Sequence, residues 1–128
     1  MKLSLLFLLR KNKINMKGLC PIECRITLDK ERKPFATGLF INPDNWDSKK
    51  QKTFPPNEEN NFINTQLSLI KNNINQAFLF LQIKEEKFDV NDIYTQYKGE
   101  TLAIFYPYIL HIPDYHLRQI KYKLIDYF

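Results

Sequence analysis

Residues 1–13 read MKLSLLFLLRKNK, an apolar run that ends in a basic cluster. The stretch has two readings, an export signal or the first strand of a domain. A signal peptide needs a longer apolar core and a small-residue cleavage site. Leu3 to Leu9 runs instead into Arg10, Lys11 and Lys13, with no A-x-A-like site before the next element. At period two, Leu3, Leu5, Phe7 and Leu9 share one face, and the run has strand length. The strand reading fits better. The other face, Ser4, Leu6, Leu8 and Arg10, is more apolar than a solvated face should be, which keeps the export reading open.

The following residues extend the sheet. KNKINMKG (11–18) is polar, basic and ends in Gly18, as a hairpin loop would. LCPIECRITLD (19–29) alternates, with Cys20, Ile22, Cys24, Ile26 and Leu28 on one face and Pro21, Glu23, Arg25 and Thr27 on the other. DKE (29–31) forms a short turn. RKPFATGLFI (32–41) then places Phe35, Thr37, Leu39 and Ile41 opposite Arg32, Pro34, Ala36 and Gly38. Three strands joined by short loops predict an antiparallel meander. Pro21 and Pro34 each lack a ladder donor and favour edges or strand starts.

Cys20 and Cys24 would sit roughly 13 Å apart on a strand, beyond the reach of a disulfide. They read as small core thiols, which suits a cytoplasmic protein. His111 and His116 lie far off in sequence, so no metal and no cofactor is expected. No apolar run approaches the ~20 residues that span a bilayer, so a membrane partner is not expected.

Beyond the sheet, Asn42-Pro43-Asp44 is a turn signature, and Trp46 reads as a cap on a small core, with base stacking as the alternative. Pro55-Pro56 breaks the chain, and Asn57 is placed to cap a helix whose first turn carries Glu58 and Glu59. Ile63, Leu67, Ile70, Ile74, Phe78 and Leu81 form one apolar stripe, most simply the surface that covers the sheet. A coiled-coil partner is the alternative. Asn60, Asn61, Asn64, Asn72, Asn73 and Asn75 supply much of the polar side. FDVNDIYTQYKG (88–99) reads as a short helix capped by Asp89, with Asp92 at its third position and Gly99 closing it.

The 128-residue chain carries a net charge of +5, unevenly spread. Residues 1–53 hold twelve Lys or Arg against five acids; residues 54–128 hold seven against nine. A basic sheet followed by a near-neutral helical half points to a polyanion, with a merely solvated basic surface as the alternative. A small sheet can enter the major groove of B-DNA, where Arg reads guanine and Lys grips phosphate.

LRKNK (9–13), KGLCPIECRITL (17–28), TGLFINPDNWD (37–47) and SKKQK (48–52) together resemble the N-terminal arm-type DNA-binding domain of tyrosine recombinases. The nearest likeness is to phage and transposon integrases of the Bacteroidetes type. INTQLSLIKNNI (63–74) and FDVNDIYTQYKG resemble that family's linker into its core-binding domain, so the likeness covers about residues 1–99. It implies an α+β fold, a three-stranded antiparallel sheet packed against a long helix; the residues themselves add the short helix and, from the stripe Leu117, Ile120 and Leu124, a C-terminal helical segment. It implies an arm domain over 1–84 (sheet 1–41, loop 42–56, helix 57–84), a linker or start of the core-binding region over 85–99, and a divergent segment over 100–128.

The implied function is binding to arm-type sites of a mobile genetic element, as the non-catalytic part of a recombinase active in DNA integration and recombination. Partners would be double-stranded DNA and intact recombinase protomers. Groove-facing candidates are Arg10, Arg25, Thr27 and Arg32; phosphate-contact candidates are Lys11, Lys13, Lys17 and Lys33. No tyrosine sits in a recognisable catalytic motif, so the chain is expected to be no enzyme by itself and to be a truncated recombinase. The alternatives are a stand-alone regulatory DNA-binding protein and a small membrane-associated or structural protein.

Overall fold

A computed structural model of the chain describes residues 1–84 and 87–103. Its elements are β1 (Leu3–Leu9), β2 (Cys20–Leu28), β3 (Glu31–Ile41), the short strands β4 (Trp46–Asp47) and β5 (Lys52–Thr53), α1 (Glu58–Ile83) and α2 (Val90–Ala103). The expected fold is the one observed: β1, β2 and β3 form an antiparallel sheet in that order, with the helices on one side. The expectation of a helical segment over 100–128 lies largely outside the described residues.

Alternation sets the two faces of the sheet. Inward positions on β2, Cys20, Ile22, Cys24, Ile26 and Leu28, are all buried, and Phe7, Phe35 and Ile41 join them from the flanking strands. The opening leucines are thus β1, paired with β2 from Leu3↔Leu28 to Leu9↔Ile22. β2 and β3 meet at a tight turn whose Asp29 has φ 55°. Asp29 Oδ1 accepts from the Lys2 N–H at 3.0 Å, which ties the turn to the chain start. The β2–β3 register shifts between Pro21 and Glu23, where β3 bulges around Gly38 at φ 80°. Positive φ is cheap for glycine, so the bulge falls there.

α1 is capped as its sequence predicts: Asn57 Oδ1 accepts from the Asn60 N–H at 2.8 Å, with Glu58 and Glu59 in the first turn. Its stripe covers the sheet, with Leu67, Ile74 and Ala77 buried and Ile63, Ile70, Phe78 and Leu81 packed around them. The start of α2 is a reciprocal box: the Asp92 N–H donates to Asp89 Oδ1 and the Asp89 N–H to Asp92 Oδ2, both at 2.9 Å. Val90, Ile93 and Tyr97 of α2 are buried in the same core. Phe35 stacks against Tyr94 and Tyr97 at 5.0 and 5.6 Å between ring centroids.

Two details differ from the sequence reading. Gly99 does not close α2, which runs on through it to Ala103. A helical glycine costs only about 1 kcal/mol relative to alanine, too little to stop a helix by itself. Asn60 and Asn64 are not part of a solvated face. Asn60 is buried, donating from Nδ2 to the Pro55 carbonyl at 2.8 Å. Asn64 is half-buried and bonded to Thr53.

A candidate nucleic-acid interface

The face of the sheet away from the helices is open. The register lays its side chains in rows across the strands. Ser4, Thr27 and Arg32 form one; Leu6, Arg25 and Pro34 the next; Leu8, Glu23 and Ala36 the third. Beyond the bulge, Pro21 lies beside Phe40. Arg25 and Thr27 are half-buried on the central strand, and Arg32 is exposed on β3.

Arg10 follows β1 at the corner of this face. Its Nη1 donates to Glu23 Oε1 at 2.8 Å, the only ion pair among the described residues. The Glu23 side chain is 14% exposed and that of Arg10 39%. A charge-assisted bond to a mostly covered acid fixes the guanidinium, while its flat fork retains further donors for a ligand.

Lys11 and Lys13 occupy a 3-10 turn after Arg10, and Lys17 lies in the loop before β2; all three are exposed. Asn15 holds this loop in shape. Its Oδ1 accepts from the N–H groups of Lys17 and Leu19, both at 2.9 Å, and the Asn15 N–H donates to the Leu19 carbonyl. Gly18 takes φ 76° to complete the reversal. The three lysines therefore project from a folded loop at the same end as Arg10.

Lys33 stands apart. It pairs in register with Ile26, a core-facing residue, and so lies on the helix side. Its Nζ sits 5.1 Å from the centroid of Tyr94, a cation–π contact. Of the sequence candidates, Arg10, Arg25, Thr27 and Arg32 share the open face. Lys11, Lys13 and Lys17 border it, and Lys33 is on the other side.

Three groups of residues on or beside this face were not singled out as site residues. Glu23 is one; its partner Arg10 lies on another strand, and only the register brings them together. Leu6, 39% exposed, and Phe40, 45% exposed, are the large exposed apolar side chains on this face. Apolar side chains in a major groove contact the thymine methyl. The excess of leucine in β1 was the available signal. The third group, Lys49, Lys50 and Lys52 of the basic run 48–52, lies beside the face, on the β4–β5 hairpin next to β1.

The buried thiols carry no part of this chemistry. Cys20 and Cys24 are both free and fully buried. Burial pushes the Cys24 thiol up to about 12, with the neighbouring Glu23 charge adding to the effect. Burial also raises Tyr97, with smaller contributions from Cys24 and Tyr94. No helix among the described residues is long and apolar enough to cross a membrane.

An open, arginine-bearing sheet face backed by helices and flanked by a lysine loop has the build of a polyanion-binding module. The sequence model of the Arm DNA-binding domain matches residues 7–94, from the middle of β1 into α2. The chain belongs to this family, a non-catalytic DNA-binding module of phage integrase-type tyrosine recombinases. No curated protein and no solved structure matches the chain.

Proposed function

We propose that the chain binds arm-type sites at the ends of a mobile element, laying the open face of β1–β3 into the major groove. It would serve as the DNA-holding part of a recombinase that integrates the element. The observation that carries this reading is the placement of Arg25 and Arg32, with Thr27, on one open face of a sheet narrow enough for the groove. Three strands span about 10 Å between outer axes, against a groove of about 12 Å. Arg25 and Arg32 are the base-reading candidates, Arg10 is a third held by Glu23, and Lys11, Lys13 and Lys17 grip the backbone. Lys33, on the helix side, has no place in this contact.

Selection of duplexes from a randomised pool tests the reading. The enriched sequence should recur at the ends of integrated elements in the source genome. Arg25→Ala or Arg32→Ala should each weaken binding to it by about 1–3 kcal/mol. Unchanged binding in both variants would remove the open face as the reading surface. Chemistry is assigned elsewhere: the protein should form no covalent adduct with a nicked crossover substrate, because it contributes grip and not a nucleophile. An adduct mapped to any of its tyrosines would overturn that assignment.

A further inference from the structure

The β4–β5 hairpin is stitched between the sheet and α1 by two side-chain amides. Gln51, at φ 55°, accepts at Oε1 from the Phe7 N–H (2.6 Å) and donates from Nε2 to the Phe7 carbonyl (3.2 Å). On the other side, Asn64 of α1 accepts from the Thr53 N–H (2.8 Å) and donates to the Thr53 carbonyl (3.3 Å). Each amide satisfies both backbone groups of one residue, as a neighbouring strand would. The hairpin tip is fixed as well, since Asp47 Oδ1 accepts from the N–H groups of Lys49 and Lys50, each at 3.0 Å.

Between β1, this hairpin and α1 lies a groove of about 310 Å³. Its rim carries Lys50, Lys52 and Lys71, all exposed, and no acidic side chain lines it. None of the three is ion-paired among the described residues. One end of the opposite edge, away from Arg32 and Lys33, has the reverse character. There the depression beside Phe40 is lined by Glu58 and Glu59, with no lysine or arginine.

We infer that this groove is a second, one-sided anion site, which takes the phosphodiester backbone of duplex DNA flanking the sheet on the β1 side. The inference rests on the open face occupying the major groove. Three strands already fill that groove's width, so a hairpin alongside β1 must meet its wall. The groove is about 8.5 Å deep, and packed layers of a domain stand roughly 10 Å apart. Lysines set between the sheet and α1 therefore stand near the height of the phosphate ridge. Glu58 and Glu59 keep the backbone from an equal approach at β3, so the clamp has a direction.

The test uses the full chain and a duplex that the wild-type protein selects from a randomised pool. Lys50, Lys52 and Lys71 are replaced together by Gln. The salt slope of binding should fall by about 2–3, since each lost phosphate contact removes about 0.9. Preference for the selected duplex over a scrambled one should stay the same. The corresponding triple Lys→Arg variant should keep the wild-type slope. An unchanged slope in the Gln variant, with Arg25→Ala still weakening binding, would overturn the groove site and leave the open face standing. Failure of the wild-type protein to bind any duplex would overturn the DNA reading itself. Uncharged methylphosphonate linkages, placed on one flank at a time, need no protein variant. They should weaken wild-type binding on one flank only, and equal losses on both flanks would overturn the one-sided assignment.

Discussion

On the proposed reading Glu23 is an acid on the face that would meet a polyanion, and its bond to Arg10 gives it a reason to be there. The carboxylate costs some attraction to phosphate but holds one guanidinium at a fixed place and angle. Glu23→Gln keeps the shape and removes the charge. It should raise affinity for scrambled duplex slightly, while lowering the preference for a selected duplex by about tenfold, within the usual worth of a well-placed bidentate contact. Competition binding reads both numbers, and an undiminished preference would mean that Arg10 needs no support. The thiols give a second residue-level expectation. With its pKa raised from 9.0 to about 12, Cys24 stays protonated in the folded protein. Below pH 9 it titrates in neither state and the preference for the folded form is complete. Above pH 9 the unfolded chain loses the proton first, so stability falls as pH rises toward 12. Urea melts at stepped pH should show that fall, made smaller by Cys24→Ala after allowance for the lost packing. At pH 8 alkylating agents should label Cys24 only as fast as the protein opens.

Among the elements, the three main strands and α1 were legible because each repeats one simple period. β1 was harder, since its leucines lie on both faces and blur the alternation. The β4–β5 hairpin was not legible, because two-residue strands leave no periodicity to read. Asn60 and Asn64 misled for a related reason: an asparagine on a helix looks solvated until the backbone it bonds is known. The linker expected over 85–99 contains α2, whose inward side chains complete the core. That role was hidden because α2 presents only a few apolar residues, too few to show a stripe. Ile74 and Ile93 are both fully buried. Ile93→Ala should therefore destabilise the protein by about 2–5 kcal/mol, in the same range as Ile74→Ala. A loss below about 0.5 kcal/mol in denaturant melts, the usual size for a surface change, would place α2 outside the cooperative unit. Asp89→Ala should cost about 0.5–2 kcal/mol by removing one half of the box that starts α2.

At the scale of the whole molecule, charge and architecture agree. The basic first half of the sequence folds into the sheet and its hairpin, and the near-neutral second half supplies the helices behind them. The composition made that division visible, but it could not tell which cations share a surface. Strand pairing sets Arg25 and Arg32 in neighbouring rows of one face, whereas Lys33, one residue from Arg32, is turned to the opposite side by the pleat. Gln51 has a further consequence. β1 is an outer strand rich in leucine, and its outward backbone groups would pair readily with the same strand of a second molecule. By occupying the N–H and carbonyl of Phe7, Gln51 blocks the middle of that edge with a side chain in place of a neighbouring chain. The Phe7 N–H and carbonyl are thereby taken by a side-chain amide and are not offered to a second copy. Gln51→Ala should shift the protein toward dimers and larger assemblies in sedimentation at high concentration, and a variant that stays monomeric would show that the hairpin backbone alone is barrier enough.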